Sequence, residues 1–214
     1  FEINKIKKVI NRGKWLTLAG VMQYLFQNGD NIVVGKLLGV GQLGFYDMAY
    51  KISILPITEV SDVFGKVTFP AYTQIQSDRP RLKIAFLKTV LGISILVIPI
   101  GLLLFMFSQQ VVLLLLGENW TSIVDVLKLL SIFAIIRAIY GSTGALFLAV
   151  KKQEYLTVMT LVNILGLAIS IVPLVHKYGI IGAAMAAMIG QIAAIPLAIY
   201  YLNKVFKPSH EAID

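Results

Sequence analysis

The chain has 214 residues, of which 57% are apolar and only 14% charged, with a mean hydropathy of +0.81 and a net charge of +8. An ordinary soluble domain carries roughly 25% charged residues, so a water-soluble fold of this composition lacks the polar surface to cover itself. Cysteine is absent, which excludes a disulfide scaffold, thiolate metal sites and cysteine nucleophiles, and the two histidines, His176 and His210, stand too far apart for a histidine metal centre.

In chain order, residues 1–14 form a basic flank holding Lys5, Lys7, Lys8, Arg12 and Lys14. A first membrane span is predicted at about 15–34; Gln23, Gln27, Asn28 and Asp30 interrupt it and no small-residue cleavage site follows, which argues against a signal peptide. Gly39 to Gly44 spells GxGxxG after a β-branched run, with Glu59 and Asp62 downstream like a ribose-binding acid. Strands and helices do not alternate along the chain, so the segment reads as a tight turn between spans and not as a dinucleotide site. The second span is predicted at 45–70 and the third at 85–107, where Thr89 to Phe107 is an uncharged run long enough to cross about 30 Å of hydrocarbon.

The run VVLLLLGENW, 111–120, is too short to cross and reads as an interfacial turn ending at Gly117, with Trp120 at headgroup depth. Asn119-Trp120-Thr121 also matches the glycosylation tripeptide, a pattern common by chance. Further spans follow at 123–150, 155–175 and 180–202, and 205–214 is a tail. The expected fold is therefore all-α: a polytopic membrane lobe over 15–204 with six spans in antiparallel hairpins. The chain begins with Phe1 and not Met, so it is expected to be a piece of something longer.

Basic residues decide orientation. The start, the 72–84 loop, Lys151/Lys152 and the tail hold twelve Lys and Arg, whereas the opposite connections hold Lys36 and Lys177 alone. That asymmetry places both termini in the cytoplasm and assigns the net charge to membrane topology, with no nucleic-acid partner.

Ionisable groups at membrane depth each cost roughly 2.5–3.5 kcal/mol at a helix centre, so Asp30, Lys51, Glu59, Asp62, Lys66 and Arg137 cannot all face lipid. Asp30 and Lys66 lie near span ends and can reach the interface by snorkelling. On the second span Asp47, Lys51, Glu59, Asp62 and Lys66 fall within an arc of roughly 120°. This stripe either faces a water-filled cavity or is a self-neutralising strip against another helix, with Asp62 and Lys66 paired at i, i+4. Arg137 has no acid within four positions. It lines a cavity as a free cation, or it forms a structural ion pair with Glu59 or Asp62. Asp30, after Asn28 and Gly29, is a candidate for cation or proton coupling, or a simple cap.

Gly182, Ala186 and Gly190 recur every four positions on the last span, which allows a neighbouring helix to approach closely. Pro56, Pro70, Pro99, Pro173 and Pro196 fall in or at the ends of spans, and Pro56 and Pro99 are candidate hinges. No nucleophile, base and orienting acid can be assembled, no P-loop appears, and GxGxxG is read as a turn, so neither enzyme chemistry nor a cofactor is expected.

The stretch DNIVVGKLLGVGQLGFYDMAYKISILPITEVSDVFGKVTFP, 30–70, resembles the start of the second lobe of polysaccharide flippases of the O-antigen (Wzx) type: an acid closing one helix, a GxLLG turn, LGxY, a proline-bearing helix and a closing Phe-Pro. Gly117 to Trp120 is similar to the GxxW before that lobe's fourth helix. The resemblance implies one six-helix lobe of a V-shaped, two-lobed secondary transporter of the bacterial cytoplasmic membrane. It implies a lipid-diphosphate-linked oligosaccharide as substrate, flipped by alternating access for polysaccharide or lipopolysaccharide biosynthesis. Arg137, helped by Lys51 and Lys66, would attract the diphosphate; Asp30, Glu59 and Asp62 would couple an ion gradient. Membrane lipids and a missing first lobe, or a second copy, are the expected partners. A cation-coupled drug exporter and a non-transporting membrane scaffold are the competing readings.

Overall fold

The computed structural model describes residues 28–207, so the flank 1–14, most of the span 15–34 and the tail beyond 207 lie outside the described residues. Among the described residues the chain is all-α, with no strand. Residues 28–38 form α1, and the next helices are α2 (Val40–Gln74), α3 (Arg79–Met106) and α4 (Ser108–Leu115). A 3-10 turn, Glu118–Ile123, leads into α5 (Val124–Ala149). The final run, Gln153–Phe206, is broken at Gly179, and its halves are called α6 (153–178) and α7 (180–206).

The turn expected over Gly39 to Gly44 is confined to one residue. Gly39 alone takes a positive φ, 84°, and α2 starts directly after it. Gly41 and Gly44 sit inside the helix, while the Leu43 N–H donates to the Gly39 carbonyl at 3.1 Å. A single left-handed residue, cheap only for glycine, is enough to reverse the chain.

The 72–84 loop is shorter than expected for a related reason. Helix α2 runs through Pro70 to Gln74, and α3 starts at Arg79, so the connection is residues 75–78. The Asp78 carboxylate accepts from the Arg81 N–H at 3.0 Å, and Pro80 occupies the first turn of α3. Both are helix-start signals that a hydropathy count ignores. At about 1.5 Å per residue, 35 residues give α2 a length of roughly 50 Å, more than the hydrocarbon thickness requires.

Helix α5 is the hub, touching α2, α3 and the α6–α7 pair. Its buried residues, among them Leu127, Leu130, Phe133, Ala134, Ala138 and Leu146, occupy more than one face, as a helix surrounded by others demands. Where α3 crosses it, Gly101 lies directly against Ile135, leaving no room for a side chain. Trp120 in the 3-10 turn meets Phe45 edge-on at 5.2 Å, anchoring the short α4 segment to α2.

At Gly179, with φ 60° and ψ −136°, the chain doubles back. The small residues expected to admit a neighbour do so, and the neighbour is α6. Gly182 faces the Leu174 carbonyl, and a Cβ on Gly190 would stand 2.6 Å from the Asn163 carbonyl oxygen. At the far end Tyr155 and Tyr201 stack at 4.1 Å with their rings nearly parallel, so α6 and α7 form a hairpin closed along its length.

Candidate functional site

Polar side chains gather where α1, α2, α5 and the hairpin meet. Asp30 on α1 is buried, and the buried Tyr46 hydroxyl on α2 donates to its Oδ2 at 2.9 Å. Oδ1 accepts from the Asn31 N–H, also at 2.9 Å. One turn after Tyr46, the Tyr50 hydroxyl accepts from Arg137 Nη1 at 2.7 Å. The two tyrosine rings are 6.3 Å apart, so a carboxylate and a guanidinium are each held by one of two neighbouring phenols on α2. The Arg137 guanidinium also lies 5.8 Å from the Phe133 ring centroid, on its own helix.

Arg137 stands near the middle of α5, half-buried, between cavities. One of about 220 Å³ is bounded by Asp30, Tyr50, Arg137, Tyr140, Asn163 and Gln191 among others. A second, of about 530 Å³, shares Tyr50, Arg137 and Gly141 with the first and adds Thr58, Ser61 and Asp62. A third, of about 410 Å³, shares Ser61, Asp62 and Gly141 with the second and extends to Lys66 and Thr89. Gly141 borders all three, and its missing side chain keeps the passage open. Beside it the Ser61 hydroxyl donates to the Ala138 carbonyl at 3.1 Å, pinning α2 to α5 along the groove.

The sequence-derived candidates separate here. Asp30 and Arg137 border the same small cavity, and Asp62 joins Arg137 on the larger one. Asp62 and Lys66 do not pair, although their spacing permits it; both are exposed and border the third cavity. Lys51 instead binds Asp47 at 2.7 Å on the exposed side of α2. Glu59 is exposed and borders none of these cavities. Arg137 makes no ion pair with Glu59 or Asp62; a tyrosine hydroxyl holds it instead. The charged stripe of α2 therefore lies on an open face and is not buried against another helix of the described chain.

Four residues of the site were missed in the sequence: Tyr46, Tyr50, Asn163 and Gln191. The first two hold Asp30 and Arg137, and their i, i+4 spacing on either side of Asp47 was the available signal. Asn163 and Gln191 interrupt otherwise uncharged spans, and a search for ionisable groups passes over amides. The Asn163 Nδ2 donates to Gln191 Oε1 at 3.2 Å, while Gln191 Nε2 is buried with no acceptor. Among the described residues no three of His, Asp and Glu are grouped as metal ligands.

Comparison with known proteins supplies the context. The family described as polysaccharide biosynthesis protein matches residues 1–125. The chain is 30% identical to the lipopolysaccharide biosynthesis protein WzxC of Escherichia coli (strain K12) over 72% of its own length and 31% of that protein's. It is also 30% identical to an uncharacterized membrane protein in the cps region of Klebsiella pneumoniae, over 95% of this chain and 42% of that one. The probable low-salt glycan biosynthesis flippase Agl15 of Haloferax volcanii is 21% identical over 92% of this chain and 42% of its own. The chain thus spans between about a third and two fifths of the length of these relatives. No solved structure matches it.

Proposed function

Because the chain belongs to the polysaccharide biosynthesis protein family, with membrane flippases among its relatives, we propose that it forms one lobe of a secondary transporter for a lipid-diphosphate-linked oligosaccharide. Its length against those relatives supports a first lobe, or a second copy, as the other wall of the pathway. The excess of basic residues in one set of connections supports cytoplasmic termini in a bacterial cytoplasmic membrane.

The observation that carries this reading is Arg137. It stands mid-helix on a polar groove, gives one N–H to Tyr50, and has no carboxylate partner among the described residues. A guanidinium presents five N–H donors in a planar fork, so four remain for an anion, and the fork fits two oxygens of a phosphate at once. The cavity of about 220 Å³ is too small for an oligosaccharide, since pockets for drug-sized ligands run from about 300 to 1,000 Å³. The diphosphate would lie at Arg137 and the glycan along the wider groove. Lys66, at the far end of that groove, would assist, while Lys51 contributes less because Asp47 already occupies it.

Asp30, which borders the same cavity as Arg137, is the better-placed ion-coupling acid; Asp62 borders the groove and Glu59 stands apart from it. Rocking between inward and outward states would then alternate access to the groove, with no nucleotide involved. A static scaffold would need Arg137 neutralised by an acid, and no acid among the described residues pairs with it.

The test is export of lipid-linked glycan in cells whose only flippase carries Arg137→Ala. Export is expected to fall at least about 100-fold with membrane abundance unchanged, as expected for loss of a charged, bidentate contact. Arg137→Lys should recover only part of it, because an ammonium keeps the charge and loses the fork. Normal export by Arg137→Ala would remove the residue from the pathway.

A further inference from the structure

Away from the groove, the first turns of α3 and the last turns of α7 enclose a pocket of about 590 Å³, lined by Lys83, Tyr200, Asn203, Lys204, Phe206 and Lys207. We propose that it binds the phosphate headgroup of an anionic phospholipid.

Three ammonium groups border one pocket, and no carboxylate of the described residues lies in its wall. Among the described residues, Asp78 is engaged as the cap of α3 through the Arg81 N–H, and Glu154 lies 3.6 Å from Lys152. Lys83, Lys204 and Lys207 have no acidic partner among the described residues. Like charges around one pocket repel until an anion enters it, and lysines can hold a phosphate as point charges. The floor is firm, since Phe86 and Phe206 pack ring to ring at 5.8 Å and join α3 to α7 beneath the lysines.

The surface leading away from the pocket selects a lipid over a free anion. On α3, Leu87, Leu91 and Ile95 follow Lys83 at four-residue intervals, and all are exposed. On α7, Tyr200, Pro196 and Ile192 precede Lys204 at the same interval, again exposed. Lys83 and Lys204 therefore each head an apolar strip running toward the membrane interior, the form of a site that takes a headgroup and its acyl chains together. The basic-residue count puts this end at the cytoplasmic side, where basic pockets between helices meet anionic lipid headgroups.

The intact protein, purified in neutral detergent, is titrated with phosphatidylglycerol, phosphatidylcholine or inorganic phosphate, and binding is read by native mass spectrometry and by the thermal midpoint. Phosphatidylglycerol is expected to bind and raise the midpoint, and the other two are expected to do neither at equal concentration. Each lysine replaced by Gln should weaken phosphatidylglycerol about fivefold, so that Lys83→Gln/Lys204→Gln/Lys207→Gln together lose about 100-fold. All three lysines are exposed, so these variants leave the core intact. Lys128→Gln, which removes a lysine paired with Asp125 elsewhere, should keep full affinity. Equal binding of phosphatidylcholine, equal stabilisation by phosphate, or undiminished affinity in the triple variant would each overturn the proposal.

Discussion

The α6–α7 hairpin and the α2–α5 groove are built from similar residue types and use them in opposite ways. In the hairpin, Gly166, Gly182 and Gly190 exist to be covered: a Cβ on any of them would strike backbone of the facing helix. Along the groove, Gly65 and Gly144 meet nothing within 4 Å, and the Gly141 Cβ position meets only Ser61 Oγ, at 3.6 Å. Small residues close one region and hold the other open. Polar groups divide likewise: the amides of Asn163 and Gln191 cross-link the hairpin, while Arg137 has N–H donors left over on the groove side. The first region is a structural clamp, and the second is open among the described residues.

The sharpest way to break this contrast is to add one methyl group to the clamp. In Gly182→Ala the new Cβ falls on the Leu174 carbonyl, a backbone atom that cannot swing aside. Overpacking of this kind is expected to cost about 3 kcal/mol, a fall in thermal midpoint of roughly 6–12 °C for a chain of this size. A midpoint within a degree or two of the parent would mean that the hairpin is not closed as described.

Next in size is the Tyr50 hydroxyl. Tyr50→Phe removes the acceptor that orients Arg137 at 2.7 Å, without touching the charge. Hydrogen bonds to charged groups contribute about 1.5–3 kcal/mol, so glycan export should drop about tenfold or more while folded protein accumulates normally. An equal loss of protein and export would instead assign Tyr50 a packing role.

How far the sequence reached follows the same division. Hydropathy and spacing suffice for helices and for their close approach, since length, small residues and apolar runs are properties of single segments; Gly182, Ala186 and Gly190 were readable for that reason. Helix ends were less legible, because Asp78 and Pro80 act through capping geometry and Gly39 through one dihedral angle. The groove was half legible. Arg137 and Asp30 stood out by charge against apolar neighbours, but their partners are phenols on another helix, and pairing across 16 or 87 positions leaves no local trace. The stripe on α2 misled for the complementary reason: a shared arc shows that residues face one way, not what they face. Lys51 found its partner one turn back at Asp47, whereas Asp62 and Lys66, equally spaced, did not join.

A smaller effect is expected where Asp30 meets Tyr46. Interhelical hydrogen bonds in membrane proteins average about 0.6 kcal/mol, with an upper limit near 1.7, because unfolded helices in lipid also find partners. A double-mutant cycle of Asp30→Asn and Tyr46→Phe on stability should therefore return about 1 kcal/mol of coupling. Its value for function lies in the export readout. If Asp30 acts through Tyr46 and Tyr50 on Arg137, Tyr46→Phe should alter the dependence of export on the ion gradient and leave Asp30→Asn no further effect. Additive losses would separate the acid from the guanidinium.

The smallest effect is the most informative about the groove. Gly65→Ala is the substitution already described for the clamp, made where a Cβ meets open space. Inside a helix, alanine should stabilise the chain by about 0.5 kcal/mol through the unfolded state, so the thermal midpoint should rise by a degree or two where Gly182→Ala lowers it. The groove is some 410 Å³ here, and one methyl group fills little of it. If the variant is nonetheless less stable in the intact protein, another wall must press on Gly65, and the passage bordered by Asp62 and Lys66 is a packed interface. If it is more stable and export persists, that space is open in the working molecule, as a route past Arg137 requires.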